Sequence, residues 1–496
     1  MNRLVITAAF PFIPSDIHIA HIASTYLPAD IINRMAAILG YDSVLVSATD
    51  VHGLWVKKEL QDTNIEAEVL KSNYHERYKK IFDCLDIRFD TYERTDDSAL
   101  RDLVYESLYN LREKGYIVQK ETIIYSCGEC LEYLPKRFRI GSSDVVTKTG
   151  KIKLSDSENN YMCAFCGSDQ IIESIVNHWF LDIQKGKSII EDGIDRQMQI
   201  HVKNYLNSLL CDGLSEWDFT RDNYYGITIP FNDEDQYIYL WYESLIGYLF
   251  LANDLGGNIS FRHFLGKNIV YYHGIVWPIL LREATHSYTV DFQISARGFL
   301  DLSATDIPLD IFELTHKFPV DYIRFYCAYR TPDTMNDFYF KEAEFVQVIN
   351  SVLCRQVGGF LKRCRTILQN NNVSTVPKQG VLHELIYETI VLVRGHFEKL
   401  NPNQALTEVL RYIKQCGNII STRELYKNPS LADLELICKM MAGVIILIKP
   451  FVPTIIESYN IFEDVTFSSV DDLDRLEGCN LKFSAETWRT IECVVS

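Results

Sequence analysis

The chain has 496 residues, room for about three domains. Its 47% hydrophobic and 23% charged content excludes a disordered polymer and fits a folded globular protein. Forty-nine Lys and Arg against 66 Asp and Glu leave a formal net charge of -17, which excludes a uniformly basic nucleic-acid coat while leaving room for one local basic face. The longest apolar run, Met440 to Ile448, is too short to span a bilayer. Thirteen cysteines, an odd number and mostly far apart, argue against a secreted disulfide framework. The expectation is a cytoplasmic protein that makes no membrane contact.

In chain order, Leu4-Val5-Ile6-Thr7-Ala8 reads as a strand, and a Pro-containing loop over 11–16 follows it. A helical pattern opens near His18 and runs to about Leu39, ending at Gly40. A second strand is centred on Ser43-Val44-Leu45-Val46, with Asp50-Val51-His52-Gly53 in the loop beyond it. Strand–helix–strand order predicts an α/β fold with a parallel, doubly wound sheet, whose ligands lie beyond the carboxyl ends of the strands. Over 116–182 the texture changes to short β-like runs, two cysteine pairs and a polar stretch at 142–160, the pattern of an insertion. The α/β pattern resumes after Asp222, with 237–240 and 268–272 as strand candidates. From about Glu344 the period is helical, with loops at 370–372 and 428–429. Domain boundaries are therefore expected at 1–115 and 223–310 for two halves of one α/β domain, 116–222 for the insertion, 311–345 for a linker, and 346–496 for a helical domain.

Residues 346–460 hold 13 Lys and Arg against 8 Asp and Glu, a net +5 in an otherwise acidic chain. Within that stretch Lys362, Arg363 and Arg365 cluster on about one helical turn; a solvated face and a polyanion contact are both open readings.

Two constellations carry chemistry. Cys127-Gly-Glu-Cys130 and Cys163-Ala-Phe-Cys166 have the spacing that turns two thiolates toward one ion. Four thiolates at about 2.3 Å close a tetrahedral zinc site with no open position, which is a structural site. The 32 residues between the pairs exceed ordinary ribbon spacing, so something is inserted there. Four unrelated buried thiols are the plain alternative. His18-Ile-Ala-His21 puts two imidazoles on one face of a helix N-terminus, where phosphate oxygens are favoured. A metal site is the rival reading, although two histidines leave it short of ligands.

The residues around these motifs carry a resemblance. Thr7-Ala-Ala-Phe-Pro-Phe followed by Ile17-His-Ile-Ala-His is similar to the first signature of class I aminoacyl-tRNA synthetases, specifically the methionyl family. Ala48-Thr-Asp-Val-His-Gly53 resembles that family's next loop, and the cysteine knuckles sit where its zinc-bearing connecting insertion lies. Trp217-Asp-Phe-Thr-Arg-Asp222, Trp241-Tyr-Glu-Ser-Leu-Ile-Gly-Tyr248 and Gly266-Lys-Asn-Ile-Val-Tyr-Tyr-His273, followed by Trp277-Pro278, are similar to later signatures, in order. The resemblance implies a Rossmann-like catalytic domain with a zinc-knuckle insertion and an α-helical bundle of the anticodon-binding type. It implies activation of methionine or a similar amino acid by ATP with Mg2+, giving an aminoacyl-adenylate and pyrophosphate. It implies that Asp50 holds the α-ammonium, and that Phe10, Phe12, Trp241, Tyr248, Ile269 and His273 form the side-chain pocket. It implies that His18 and His21 serve the phosphates.

The chain departs from the family in several places. Ala20 replaces the Gly before the second histidine, and Ser244-Leu245 replaces an Ala-Pro after the pocket tryptophan. The catalytic-loop signature Lys-Met-Ser-Lys-Ser-Arg-Gly is matched to Phe292-Gln-Ile-Ser-Ala-Arg-Gly298, with both lysines gone and Ser295 and Arg297 left as candidate catalytic groups. In the bundle Arg355 falls on a family arginine, but Ser351 replaces a neighbouring Asn and Arg423-Glu-Leu-Tyr-Lys427 replaces a Pro-Trp pair, leaving Tyr426 as a substitute stacking residue if tRNA binds. These losses favour a repurposed synthetase paralogue that passes its activated amino acid to a non-tRNA acceptor. It resembles the synthetase-like halves of hydrazine-type natural-product enzymes, with any cupin-type partner on a separate protein. A divergent methionine–tRNA ligase and an inactive paralogue acting as a binding protein are the alternatives.

Overall fold

The computed structural model describes residues 3–134, 145–147, 150–152, 162–163, 166–231, 236–252, 255, 258–284, 291–459, 461–463 and 465–483. Most of the polar stretch at 142–160 lies outside the described residues.

Twelve strands are described: β1 (Arg3–Ala8), β2 (Ser43–Thr49), β3 (Thr91–Arg94), β4 (Ile117–Cys127), β5 (Val145–Thr147), β6 (Gly150–Ile152), β7 (Ile171–Leu181), β8 (Trp217–Asp218), β9 (Thr220–Asp222), β10 (Gln236–Ile238), β11 (Ile259–Gly266) and β12 (Phe292–Arg297). Five form a sheet in the order β12-β11-β1-β2-β3, with every neighbouring pair parallel. The chain leaves β1 toward β2 on one side and returns through β11 toward β12 on the other. The switch point is therefore the β1/β11 gap, and the crevice beyond its carboxyl ends is where a doubly wound sheet binds ligands.

Side chains alternate across this sheet as a strand's period of two requires. Leu4, Ile6 and Ala8 of β1 enter one core with the helix Leu27–Ile38 and the helical C-terminal half. Val5, with Val46 and Ala48 of β2, enters a second core with the helices Ser98–Glu113 and Leu240–Ala252. Burial on both faces explains why the strands read as continuous apolar runs.

The expected helix after His18 is present as Ile19–His21, a π-helical turn Ile22–Tyr26 and Leu27–Ile38. The strand expectation at 268–272 fails. That stretch is helical, with a 3-10 turn at Lys267–Ile269 and a π-helical turn at Tyr272–Val276, and the strand is the preceding β11. The run Ile269-Val-Tyr-Tyr272 has strand composition, but Val270 and Tyr272 are buried as the inner side of a helix packed beneath the sheet. At 237–240 the strand ends at Ile238 and a helix starts at Leu240.

The insertion is a ribbon, with β4 and β7 antiparallel over eleven pairs from Ile117↔Leu181 to Cys127↔Ile171. Beyond Glu342 the chain is a bundle whose main helices are Gly359–Asn370, Glu384–Glu398, Pro402–Thr422 and Leu431–Ile448.

Candidate active site and cysteine knuckles

The strand ends bring the candidate residues together from distant parts of the chain. Beyond β1 lie Phe10 and Phe12, and beyond β2 lies Asp50, whose backbone bridges to Phe12. On the helix Leu240–Ala252, Trp241, Ser244 and Tyr248 share one face by their i, i+3, i+7 spacing. Phe10 packs edge-on against Tyr248 with centroids 4.6 Å apart. Gly247 makes that contact fit: a Cβ there would stand 2.7 Å from the Phe10 ring. His273 donates from Nδ1 to the Ile269 carbonyl at 3.1 Å, so its Nε2 is left to accept from the Tyr248 hydroxyl at 3.1 Å. Burial lowers its pKa to about 4, and the imidazole is neutral. Trp241 stands beside this group, against Tyr239 and, at 4.1 Å, Tyr272. Phe12 is 40% exposed, and its backbone pairs with that of Asp50.

Asp50 is buried, and its Oδ2 meets the Ser244 hydroxyl at 2.8 Å while Oδ1 has no hydrogen-bond partner. Burial and the nearby Glu243 push its carboxyl well above the ordinary range. Glu243 is itself fully buried and pairs with His52 Nδ1 at 2.8 Å. Sequence marks Ser244 only as a departure from the family's alanine, and gives no functional signal for Glu243 or His52. They fall inside the quoted signatures, but a contact between residues 191 and 194 positions apart leaves no local signal.

His18 caps the helix. Its Nδ1 accepts from the Ala20 amide, and the His18 amide donates to His21 Nδ1, both at 3.3 Å. With both Nδ1 atoms accepting, each neutral ring carries its hydrogen on Nε2. Two N–H donors on rings 4.1 Å apart by centroid and tilted 43° to each other therefore stand at a helix N-terminus, an arrangement suited to phosphate oxygens. Ala20 is half-buried against the core.

Ser295 and Arg297 are a correction. They belong to β12, not to a loop, and both are buried. Arg297 donates to Ser295 Oγ at 2.8 Å, to Asp333 at 3.0 Å and to the Leu400 carbonyl at 3.4 Å, so its charge is consumed inside the fold. Gly298 is needed for packing, since a Cβ would run into the backbone of Asn336. The loop beyond β12 is 298–310; it carries Asp301, Asp306 and Asp310 and no Lys or Arg. It is clamped by Phe338, whose amide donates to the Phe299 carbonyl while its carbonyl accepts from Asp301. Lys267, at the end of β11, pairs with Asp337 at 2.6 Å.

At the end of the ribbon Cys127, Cys130, Cys163 and Cys166 place their sulfurs within 4.8 Å of one another. The 3.5 Å and 3.6 Å separations of Cys127–Cys166 and Cys130–Cys163 are close to the edge of a tetrahedron with about 2.3 Å metal–sulfur bonds. Both pairs have the same turn, Leu131 N–H to Cys127 O and Gly167 N–H to Cys163 O, each at 2.9 Å. The donor set fits zinc, with no open position. The knuckles dock on the site through Trp55 Nε1 to Glu132 at 2.6 Å and through Arg221, which lies between the rings of Tyr133 and Tyr239.

On the bundle Arg355 is exposed on the helical run Ile349–Gly358. Tyr426 is 55% exposed and, with Lys362, Arg363, Asn370 and Asn371, lines an open cleft. Arg365 leaves that cluster to lie over Phe483.

A family model for tRNA synthetases class I (M) matches residues 4–365, most of the chain. The chain belongs to that family, the methionyl group of class I synthetases. It is accordingly a class I ligase in kind. It is 27% identical to the methionine–tRNA ligase of Ignicoccus hospitalis, over 92% of this chain and 89% of that protein. It is also 27% identical to that of Pyrococcus furiosus, over 91% and 70%. Its fold matches the Mycobacterium tuberculosis methionyl-tRNA synthetase bound by methionyl-adenylate with a TM-score of 0.80, at 17% identity and over 97% and 98% of the two chains. Among the described residues no helix is long and apolar enough to cross a membrane.

Proposed function

We propose that the protein binds methionine or a close analogue together with ATP and Mg2+ and joins them: the amino-acid carboxylate attacks the α-phosphorus, pyrophosphate leaves, and an aminoacyl-adenylate forms. The observation that carries this reading is the unpartnered, buried Oδ1 of Asp50 close to Tyr248, whose ring packs on Phe10 and whose hydroxyl meets His273: an acceptor for one cation beside an aromatic group. A charge-assisted hydrogen bond from an α-ammonium would complete it. The aromatic wall suits a polarisable thioether. The Nε2–H donors of His18 and His21 face the phosphates, and the four cysteines hold zinc as a structural ion.

The acceptor we propose is a small molecule other than tRNA, whose nucleophile displaces AMP from the acyl carbon. What supports this is the loss of both signature lysines, together with the acidic, clamped loop 298–310 after β12, which carries no Lys or Arg to replace them. Each lost phosphate-stabilising group costs about 10²–10³ in rate, a penalty that slow secondary chemistry tolerates better than protein synthesis does. A cupin-type partner protein would then act on the product. The second reading, a divergent methionine–tRNA ligase, is favoured by the exposed Arg355 and by the named relatives.

The test is amino-acid-dependent ATP–pyrophosphate exchange over the common amino acids, with and without bulk tRNA, for the wild type and Asp50→Ala. Exchange with methionine or an analogue, lost in Asp50→Ala, is the expected result. Transfer of label to tRNA would replace the small-molecule acceptor by the second reading, and exchange with no amino acid would overturn adenylation itself.

A further inference from the structure

Ser244 stands where the family has alanine, and its hydroxyl makes two contacts of equal length: 2.8 Å to Asp50 Oδ2 and 2.8 Å to the Leu240 carbonyl. A serine hydroxyl has one hydrogen, and a carbonyl only accepts. With Asp50 ionised, one of the two contacts has no hydrogen in it. With a proton on Asp50 Oδ2 both are satisfied: Asp50 donates to Ser244 Oγ, and Ser244 donates to Leu240 O.

The surroundings favour the protonated form of the empty pocket. Among the described residues no Lys, Arg or His forms an ion pair with Asp50, and its Oδ1 is unpartnered. The titratable groups that face it are Glu243 from the neighbouring helix and the phenols of Tyr26, Tyr92 and Tyr248. His52, two positions along the chain, is engaged by Glu243, and His75, whose Nδ1 meets the Thr49 hydroxyl, forms no ion pair with Asp50. A lone buried carboxylate next to a second one is costly, and holding a proton removes the cost.

We propose that Ser244 is a two-state positioning residue, accepting a hydrogen bond from a protonated Asp50 in the empty pocket and donating one to ionised Asp50 once an amino acid's ammonium is bound, so that binding expels one proton. The balance is simple. A neutral carboxyl and an ammonium enter; a carboxylate–ammonium pair remains and H+ goes to solvent. Leu240 O loses only its second hydrogen bond, because it remains the carbonyl of a helix's first turn. The inference rests on the proposed function, since it takes the ligand to be an amino acid.

The full-length protein is titrated with L-methionine by calorimetry, in buffers of different ionisation heat and at several pH values. About one proton released per methionine is expected below the Asp50 midpoint, with affinity rising about tenfold per pH unit there and levelling above it. Ser244→Ala removes the donor that the ionised form needs, so the midpoint moves to higher pH and affinity recovers in alkali; Ser244→Thr keeps a hydroxyl and restores the wild-type profile. Affinity independent of pH with no proton release, or an equal loss at every pH in Ser244→Ala, overturns the proposal. A ligand-free readout separates this from failure of the functional reading. The infrared carbonyl band of a protonated carboxyl is expected in the empty wild type near neutral pH, absent in Asp50→Asn and shifted in Ser244→Ala. Its absence from the wild type overturns the two-state serine whatever the ligand, whereas its presence with no amino acid bound leaves the serine and refutes the ligand.

Discussion

Replacing Arg297 by Met tests whether its guanidinium belongs to the fold or to the chemistry. The side chain is 1% exposed and Asp333 is 8% exposed, and they meet at 3.0 Å. Removing the arginine leaves Asp333 buried with the Gln404 amide at 3.0 Å on its other oxygen and no cation. Stranding one partner of a buried pair costs about 3–5 kcal/mol, whereas replacing both by apolar groups of similar volume is close to neutral. In a cooperative unit of a few hundred residues that loss lowers Tm by roughly 10 °C. Arg297→Met, Asp333→Leu and the double variant are therefore melted side by side, and pyrophosphate exchange is assayed at a temperature where all are folded. The expected result is two destabilised single variants, a double variant near wild-type Tm, and exchange that follows the folded fraction. Arg297→Met melting like the wild type while losing exchange would refute the structural assignment and return the residue to the catalytic loop.

Three further outcomes are expected. Chelation or Cys163→Ser should release one zinc per chain by metal analysis and lower Tm, and through Trp55–Glu132 and Arg221 it should also change tryptophan fluorescence; a chain that purifies without metal and does not respond to chelator would contradict the knuckle assignment. His178 is buried, which alone would depress its pKa, but hydrogen bonds to Asp218 and Asp222 outweigh that and raise it to about 9. Because the folded value lies above the unfolded one, about 6.5, its contribution is fully present below about pH 6.5 and lost as pH rises through 9, at most about 3 kcal/mol; in His178→Gln the alkaline fall in Tm should be shallower than in the wild type, and an identical slope would count against it. Gly247→Ala would normally favour a helix by about 1 kcal/mol, but its Cβ meets the Phe10 ring at 2.7 Å; the ring must move, and the methionine KM should rise more than kcat falls, an outcome that an unchanged KM would exclude.

The fold was legible because its elements obey local rules. Leu4-Val5-Ile6 is apolar on both faces, as a covered parallel strand must be. The thiol pairs announce their turn, since a two-residue spacing permits the repeated amide-to-carbonyl contact seen at Leu131 and Gly167. Where reading failed, composition and context pulled apart. Ile269-Val-Tyr-Tyr272 has the residues of a strand but follows the end of β11, so it packs as helix. Phe292-Gln-Ile-Ser-Ala-Arg was assigned to a loop on the strength of its final Arg-Gly, although its own alternation of Phe292, Ile294 and Ala296, all in one core, is that of a strand.

The candidate site divides along the same line. Asp50, the histidine pair and the aromatic wall are legible because each lies within a short signature, and the sheet then only has to bring the signatures to one crevice. Charge state is not carried that way. Asp50 is separated from Ser244 by 194 positions and faces Glu243, a residue one step further back on the same helix. Whether the aspartate is a ready anion or a carboxyl that must shed a proton depends on counting hydrogens around one serine oxygen, which needs the Leu240 carbonyl as well. The same applies to the phosphate side. Losing two lysines is visible in sequence, but only the placement of Arg297 inside the fold removes the apparent substitute and leaves the imidazoles of His18 and His21 as the described donors at that helix end. A slow adenylating site with a proton-coupled amino-acid step is what those two facts together require of the proposed chemistry. Raising pH should therefore speed exchange at low amino-acid concentration and leave it unchanged at saturation.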